Sequence, residues 1–85
     1  MNITLRFFAS VRETLGTSQE TLALPAHLHT VGELRALLIA RGGVWAEALA
    51  EGRSLRMACN QIMCNADTPL TDPCEVAFFP PVTGG

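Results

Sequence analysis

The stretch HTVGELRALLIARGG, residues 29–43, decides the fold because it contains the clearest helix of this 85-residue chain. Thr30 and Glu33 have the spacing of a capping box, so the helix is predicted to begin at Thr30. The glycine pair at 42–43 is predicted to end it. Apolar residues recur on one face at intervals of three and four, at Val31, Leu34, Leu37 and Leu38. A helix of this kind has a single apolar face, which another layer of structure must cover.

Two strands are predicted before this helix. The segment NITLRFFA, residues 2–9, alternates in character, and its Phe8 is predicted to point away from the core. The core side of this strand is predicted to be Ile3, Leu5 and Phe7. The segment SQETLALP, residues 18–25, predicts the second strand, which Pro25 ends. The connection between the strands is predicted to hold a short helix, because it contains a capping-box spacing and a stop glycine, at Ser10, Glu13 and Gly16.

Further elements are predicted after the helix. Residues 44–52, VWAEALAEG, predict a short helix or turn, with Trp45 and Leu49 packing inward. Residues 54–65, SLRMACNQIMCN, predict two short strands that meet at an Asn-Gln pair, and CEVAFF predicts a last apolar strand. This order predicts the α+β class, with a mixed sheet packed on one main helix and the last strand in the centre beside the first. The chain is therefore predicted to form one domain, residues 1–81, followed by a flexible tail, residues 82–85.

The composition argues against several functions. The net charge is −2 and no basic run occurs, so nucleic acid is not expected as a partner. All six basic residues are arginine, which rules out chemistry that needs a lysine amine. No apolar run approaches the roughly 20 residues that span a bilayer. No secretory signal pattern is found, so a cytoplasmic location without a membrane partner is expected.

The cysteines do not have the spacing of a metal site. Cys59, Cys64 and Cys74 follow the pattern C-x4-C-x9-C, which lacks the close pair of a zinc ribbon. No metal is therefore predicted, and each thiol is expected to be a small buried apolar group on a strand. His27 and His29 are expected to be solvated in a loop before the helix. A catalytic Cys–His pair stays open as an alternative, although nothing in the sequence orients one.

The chain ends with FFPPVTGG, residues 78–85. Pro80 and Pro81 fix φ and cannot donate hydrogen bonds, so they are predicted to end the sheet and to project the last four residues away from the domain. Gly84 and Gly85 have no side chains and can enter a narrow passage. The terminal carboxylate is a poor electrophile, so a sulfur or amine nucleophile would attack it only after activation, for instance by ATP. The alternative is that the Gly-Gly end is merely a frayed terminus.

Three segments carry a resemblance that covers essentially the whole chain: LRFFASVRETLG at 5–16, NQIM at 60–63 and PLTDPCEVAFFPPVTGG at 69–85. The chain resembles the small subunits of molybdopterin synthase, a family of ubiquitin-like sulfur carriers. The resemblance implies a β-grasp fold. It also implies that the chain is not an enzyme on its own, that it binds no cofactor, and that it is the sulfur-donating subunit of a sulfurtransferase complex.

The resemblance further implies roles for the tail and its partners. An ATP-dependent adenylyltransferase would convert Gly85 to a glycyl adenylate, and a sulfur donor protein would supply the sulfur of a thiocarboxylate, 1-thioglycine. The large subunit of molybdopterin synthase, in an expected heterotetramer, would then transfer that sulfur to cyclic pyranopterin monophosphate to form molybdopterin. The residues expected to insert into the large subunit's active site are Pro81, Val82, Thr83, Gly84 and Gly85.

Strand alternation also predicts a contact surface for the partners. If Ile62 and Cys64 point inward, one face of the sheet is expected to expose an apolar patch formed by Phe8, Met63 and Phe79. The alternative is that one or more of these side chains pack in the core. At Asp72-Pro73-Cys74 the chain departs from the glycine-containing turn that is frequent in the family, and Pro73 is expected at position i+1 of a type I turn.

Other functions share the same terminal chemistry. A sulfur carrier for the thiazole of thiamine would have the same fold and the same Gly-Gly end. A ubiquitin-like modifier would use the activated carboxylate to form isopeptide bonds with other proteins. A plain binding module, in which the terminus has no chemical role, is the third alternative.

Overall fold

The computed structural model describes residues 1–81, and within them five strands form one sheet that three helices accompany. In chain order the elements are β1 (Asn2–Phe7), α1 (Ala9–Leu15), β2 (Gln19–Ala23), α2 (Val31–Ile39), α3 (Gly43–Leu49), β3 (Arg56–Cys59), β4 (Ile62–Cys64) and β5 (Cys74–Phe79). The order across the sheet is β2-β1-β5-β3-β4. β1 and β5 are parallel, and the other neighbouring pairs are antiparallel. The predicted α+β class is confirmed, with the last strand in the centre beside the first.

The core lies between one face of the sheet and the helices. Its fully buried side chains are Phe7, Phe78, Ile3, Leu5, Leu34, Leu38, Leu49, Val31 and Val76. The strand members of this set occupy alternate positions, and alternate strand residues point to opposite faces. Trp45 of α3 packs edge-to-face on Phe7, with ring centroids 5.6 Å apart, so the predicted inward packing of α3 is confirmed. The helices therefore cover the inner face of the sheet, and the outer face is left open in residues 1–81.

Helix α2 begins as predicted. Thr30 Oγ1 accepts a hydrogen bond from the Glu33 amide at 3.2 Å, and Glu33 Oε1 accepts one from the Thr30 amide at 3.1 Å, which completes the capping box. The His29 amide also donates to Glu33 Oε1, at 3.0 Å, and this bond lowers the pKa of the Glu33 carboxyl. The helix ends at Ile39, and Gly42, with φ of +76°, is the N-cap of α3. Gly42 thus lies between the two helices and Gly43 begins α3, both with positive φ, a conformation that glycine adopts without steric cost.

The prediction of a capping box in the β1–β2 connection is wrong. Helix α1 begins at Ala9, and no side-chain hydrogen bond caps it, so Ser10 lies inside its first turn. The Phe8 amide donates to the Phe78 carbonyl at 3.2 Å, which prolongs the pairing of β1 with β5 and forces the chain to turn at once. The end of α1 is as predicted, because Gly16 closes it with φ of +75°.

The predicted turn before β5 is also wrong. The Asp72–Pro73 peptide bond is cis, so Pro73 does not occupy position i+1 of a type I turn. A cis-proline belongs instead at position i+2 of a type VI turn. Asp72 Oδ1 accepts a hydrogen bond from the Asn2 amide at 3.0 Å, which joins this loop to the start of β1.

The β3–β4 hairpin turns at the predicted Asn-Gln pair. Asn60 and Gln61 have φ of +52° and +68°, as a two-residue type I′ hairpin requires. The Asn60 amide donates to the Glu75 carbonyl at 2.8 Å, and Asn60 Oδ1 accepts from the Glu75 amide at 3.0 Å. These bonds fix the hairpin against β5 and thereby set which side chains of β4 face outward.

Candidate functional site

The base of the predicted tail is the end of the central strand. Phe78 pairs with Phe7 of β1, and Phe79 pairs with Arg56 of β3, so β5 is paired on both sides up to Phe78 and on the β3 side to its last residue. Pro80 and Pro81 come next, and proline has no N–H with which to continue a ladder. The rest of the predicted tail, Val82, Thr83, Gly84 and Gly85, lies outside the described residues. The tail is therefore attached to a strand that has hydrogen-bonded neighbours on both sides.

A pocket of about 170 Å³ lies beside this base. Pro80 and Pro81 form one side of it, Val11 of α1 forms another, and Arg53 and Leu55 contribute from the loop before β3. Both prolines are half-buried. The two prolines therefore lie beside α1 and this loop.

The outer face of the sheet carries a continuous band of apolar side chains. Phe8 contacts Phe79 edge-to-face, with ring centroids 6.5 Å apart. In the adjacent row, Met63 of β4 pairs with Ala58 of β3, which pairs with Ala77 of β5. Ala77 and Phe79 are two residues apart on β5, so they share this face. We name this band the apolar strip, and its members are Phe8, Phe79, Ala77, Ala58 and Met63.

The exposed part of the apolar strip is unusual for an open sheet face. Phe8 is 40% exposed and Met63 is 58% exposed, while Phe79 is half-buried. The open face of an antiparallel sheet is normally polar. Ile62, expected to point inward, pairs with Cys59 on the inner side yet is 72% exposed, because β4 is the edge strand. The structure thus places Phe8, Met63 and Phe79 on one face, and adds an exposed Ile62 next to Met63 that the strand pattern did not predict.

Two arginines lie beside the apolar strip. The Arg6 guanidinium lies 5.5 Å from the centre of the Phe8 ring, and its Nη1 lies 3.6 Å from Glu75 Oε1. Arg56 lies directly across from Phe79 and is exposed. Since directly paired strand residues point to the same face, Arg56 borders the strip on the β3 side.

Arg35 is a positioning residue that sequence reasoning missed. It is a buried residue of α2, only 7% exposed. Its Nε donates to the Leu49 carbonyl at 2.7 Å and its Nη2 donates to the Ala50 carbonyl at 2.6 Å, while Glu51 lies 3.9 Å from Nη1. The guanidinium thereby fixes the end of α3 and the start of the loop that borders the pocket beside Pro80 and Pro81.

The cysteines lie on strands, as predicted, but only Cys74 is buried, while Cys59 and Cys64 are half-buried. Cys74 begins β5 and lies five residues before Phe79, about 17 Å at 3.3 Å per residue. Burial, followed by the neighbouring Cys74 thiol, raises the pKa of Cys59 to about 11. Burial also raises the pKa of the Cys64 thiol. Thiols with raised pKa values are poor nucleophiles at neutral pH, so none of this supports a sulfur relay through them.

The remaining candidates for metal or catalytic chemistry do not come together. His27 and His29 are exposed in the loop before α2, on a different part of the chain from the cysteines. Among residues 1–81, no three histidine, cysteine, aspartate or glutamate side chains are grouped so as to hold a metal ion. Within the same residues, no helix has the length and hydrophobicity to cross a bilayer.

The family model described as "ThiS family" matches residues 5–85 of the chain, and so includes the outer-face residues, the proline base and the tail. The chain belongs to the ThiS family. Its ThiS-family fold is the β-grasp that the resemblance implied, and the observed arrangement of β1, β5 and α2 agrees with that fold.

Individual relatives of this ThiS-family chain match it over almost its whole length. It is 49% identical over 83 residues to the molybdopterin synthase sulfur carrier subunit of Escherichia coli K12, covering 98% of this chain and 99% of that protein. It is 38% identical over 79 residues to the subunit of the same name from Haemophilus influenzae, covering 93% and 94%. A solved complex of subunits 1 and 2 of the molybdopterin-converting factor from Helicobacter pylori contains a chain that superposes on this one with a TM-score of 0.68. The two are 27% identical, and the match covers 100% of this chain and 100% of that chain. The resemblance to molybdopterin synthase small subunits is thus confirmed.

Proposed function

We propose that this chain carries sulfur to molybdopterin synthase as a thiocarboxylate on Gly85. The observation on which the proposal rests is the 49% identity, over 98% of the chain, to the Escherichia coli sulfur carrier subunit. The geometry at the end of β5 supports the proposal. The strand is paired with its neighbours, and the two prolines that follow it restrict the backbone directly before the terminal residues. The chain acts as a recycled co-substrate of the synthase and has no catalytic activity of its own.

The chemistry begins at the terminal carboxylate, which is ionised at neutral pH because α-carboxyl pKa values lie at roughly 3.3–3.7. On an ATP-dependent adenylyltransferase, a carboxylate oxygen attacks the α-phosphorus of ATP and pyrophosphate leaves, which gives the glycyl adenylate. Hydrosulfide supplied through a sulfur donor protein then adds to the acyl carbon, AMP leaves, and the S–H proton is lost to solvent. The product is 1-thioglycine at position 85. ATP is bound by the activating partner, and we propose no cofactor site on this chain.

The loaded tail then enters the large subunit of molybdopterin synthase. The complex of two subunits from Helicobacter pylori supports such an assembly, and we propose a heterotetramer of two small and two large subunits. Residues Pro81, Val82, Thr83, Gly84 and Gly85 form the inserted segment. Its last two residues lack side chains, so the passage can be narrow. The thiocarboxylate sulfur forms a bond to a carbon of cyclic pyranopterin monophosphate, and water then cleaves the bond between that sulfur and the Gly85 acyl carbon, which returns as a carboxylate. Two such transfers supply both sulfurs of the dithiolene of molybdopterin.

The apolar strip is the proposed docking face for the large subunit. Phe8, Phe79 and Met63 expose aromatic and thioether surface, and such groups are enriched at protein interfaces. Phe79 is also the residue directly before Pro80, so docking at the strip places the base of the tail against the partner. The stiff proline pair reduces the conformational entropy lost when the tail is inserted.

The proposal is tested by reconstitution from purified components. Thiocarboxylated chain, large subunit and cyclic pyranopterin monophosphate are combined, and molybdopterin is measured; intact-mass spectrometry before and after follows the exchange of one oxygen for one sulfur. The expected result is molybdopterin formation with return of the chain to its carboxylate form. Deletion of Gly85 should abolish it while leaving the unfolding temperature unchanged, because the tail lies beyond the last paired residue.

The alternatives give different outcomes in the same system. Covalent adducts of the chain with other proteins, and no free thiocarboxylate in cells, would favour a protein modifier. Capture of a thiazole-forming enzyme, with no binding to the large subunit, would favour a carrier for thiamine synthesis. If the chain without Gly85 remained fully active, the third alternative, a binding module whose terminus has no chemical role, would be favoured.

A further inference from the structure

We infer that Arg6 and Arg56 select a large subunit whose docking surface carries carboxylates opposite the two ends of the apolar strip. The inference rests on the proposed function, because it names the surface chemistry of the sulfur-accepting partner. It goes beyond apolar docking, since two positive charges on the outer face limit which surfaces can cover the strip.

Arg6 lies beside the apolar strip, where two contacts hold its guanidinium in place. It pairs with Ala77 in the parallel ladder, and its guanidinium lies between the Phe8 ring at 5.5 Å and Glu75 at 3.6 Å. A guanidinium has five N–H donors, so one carboxylate contact at this distance leaves most of them available. Its position is fixed before any partner arrives, which lowers the entropy lost when it forms a further bond.

Arg56 lies at the opposite corner. It is exposed on β3 next to Phe79, and within residues 1–81 no carboxylate lies within 4.0 Å of it. Arg6 is on β1 and Arg56 is two strands away, displaced by two residues along the strand direction. From strand spacings of about 4.8 Å and rises of about 3.3 Å per residue, their Cα atoms are about 12 Å apart. Two arginines thus stand at diagonally opposite ends of the exposed band.

Covering the strip would bring both guanidiniums into the interface. A guanidinium that loses its hydrating water without gaining an opposite charge strongly disfavours binding. A carboxylate placed opposite it compensates for the lost hydration and attracts the partner as it approaches. An acidic partner surface therefore fits, and a neutral or basic one does not. The carboxylate beside the strip, Glu75, is already paired with Arg6 at 3.6 Å, so a second copy of this chain offers Arg56 a poorer partner than an acidic surface does.

The large subunit is the partner that this position favours. Phe79 leads directly into the prolines, so any protein that takes the tail into a deep site must rest against the residues around Phe79, and Arg56 is its direct cross-strand neighbour. The charge of the whole chain is −2, so a general attraction to acidic proteins is not expected. The local pair of arginines, set beside the exit of the tail, is what provides the complementarity.

The experiment measures binding of the full-length chain to its cognate large subunit by titration calorimetry at low and at high salt. Wild type is compared with Arg6→Gln, Arg56→Gln and the double variant. Each single change is expected to weaken binding about 5–10-fold at low salt, with the double variant losing most of the salt dependence, because the lost interaction is between charges. Arg56→Lys, which keeps the charge, should retain the salt dependence.

Arg41→Gln is the matched control. Arg41 is an exposed arginine between α2 and α3, on the helix side of the sheet, where it bonds Glu20 of the edge strand β2, so its loss should change binding less than about twofold. Thermal unfolding of every variant separates a binding effect from a folding effect. Equal affinity and an equal salt slope for wild type and the double variant would overturn the inference while leaving the proposed function intact. A wild-type chain that does not bind the large subunit at all would overturn both.

Discussion

The Gly32 amide donates a hydrogen bond to the Ala66 carbonyl at 2.9 Å, so the first turn of α2 lies directly against the loop after β4. The Val31 amide makes the same kind of bond to the Thr68 carbonyl at 3.0 Å. Amides in the first turn of a helix have no partner within the helix, and here the loop supplies them. A Cβ on residue 32 would lie 3.0 Å from the Ala66 carbonyl oxygen and 3.0 Å from its Cβ. Gly32 is thus required by the close approach of two backbones.

Replacement of Gly32 by alanine should destabilise the protein although alanine favours helices. The forced separation of helix and loop costs about 1–3 kcal/mol by analogy with overpacked cores. The gain in helix propensity, at most about 1 kcal/mol, offsets only part of that. We expect a net loss of about 1–2 kcal/mol, measured by chemical denaturation, and a melting temperature lower by roughly 4–16 °C for a domain of this size.

Gly52→Ala is the control for this substitution. A Cβ at Gly52 would have no heavy atom within 4 Å, and its φ lies outside the left-handed region. This change should be neutral or stabilise by up to about 1 kcal/mol through the unfolded chain. Adding Ala66→Gly to Gly32→Ala should restore part of the loss, because it removes the Cβ contact and keeps the carbonyl contact. Equal stability of the Gly32 and Gly52 variants would show that the loop yields without cost.

Arg35→Met should be more damaging than its conservative shape suggests. Methionine retains most of the aliphatic packing but leaves the Leu49 and Ala50 carbonyls without the donors at 2.7 and 2.6 Å. Hydrogen bonds to charged groups contribute about 1.5–3 kcal/mol each, and the loss of two is expected to cost about 2–4 kcal/mol after relaxation. Hydrogen exchange should show the end of α3 opening more often than β1 or β5.

The matched control is Arg53→Met. Arg53 is exposed, and its Nε donates to the Glu47 carbonyl at 3.1 Å. Its replacement should cost less than about 1 kcal/mol, because water can satisfy the freed carbonyl. A loss for Arg35→Met no larger than that for Arg53→Met would mean that solvent reaches the α3 terminus and that the buried guanidinium is dispensable.

The fold could be predicted because its evidence is local. Alternation in β1, the capping box at Thr30 and the Asn-Gln hairpin turn each require a few neighbouring residues. Arg35 could not be predicted in this way. Arg35 lies four residues after Val31 and therefore shares the buried face of α2 with it. The apolar pattern had instead included Leu37 in that face, and Leu37 is only half-buried. The carbonyls that satisfy its guanidinium lie 14 and 15 residues later, where no local pattern connects them.

The candidate site was predictable to a similar degree. Period-2 alternation placed Phe8 and Phe79 on the outer face without knowledge of the sheet order. The start of α1 was not predictable, since the bond from Phe8 to Phe78 depends on a parallel partner 70 residues away. The exposure of Ile62 likewise results from β4 being the edge strand, a property of the whole sheet. Sequence periodicity thus gives the faces, while the topology decides which residues remain uncovered.

Stability should fall in acid partly through the pair formed by Glu20 and Arg41. Arg41 donates to both Glu20 oxygens, at 2.9 and 2.6 Å, and its guanidinium lies 4.4 Å from the centre of the Trp45 ring. The hydrogen bond from Arg41 lowers the pKa of Glu20 below its ordinary value of 4.5. The pair therefore stabilises the fold fully above pH 4.5, and this contribution is lost as the pH falls through the lower pKa of the folded state.

Glu20→Gln measures that contribution directly. At pH 7 the variant should be less stable than wild type by about 0.5–1 kcal/mol, as expected for a partly exposed ion pair. The difference should shrink as the pH falls through the lowered pKa of Glu20, because the wild-type carboxyl is then progressively protonated. Glu47→Gln, at an exposed glutamate that has no basic group within 4.0 Å among residues 1–81, should show no such convergence. A Glu20→Gln difference that stays constant from pH 7 until the protein unfolds in acid would assign the effect to packing.

The stiffness of the tail base can be tested by replacing Pro80 and Pro81 together with alanine. Both prolines come after the last paired residue of β5 but are half-buried, so the free energy of unfolding should fall by no more than about 1–2 kcal/mol in total. Each proline-to-alanine substitution raises the backbone conformational entropy of the unbound tail, and binding then loses about 0.4–1 kcal/mol of free energy for each substitution. Binding to the large subunit should weaken by about 1–2 kcal/mol in total, a factor of about 5–30. Single-turnover sulfur transfer from the saturated complex should be unchanged, because Gly85 is the same. Pro25→Ala, at an exposed proline after β2, is the control and should bind like wild type. If the double variant also binds like wild type, the prolines only end the sheet and do not preorganise the tail.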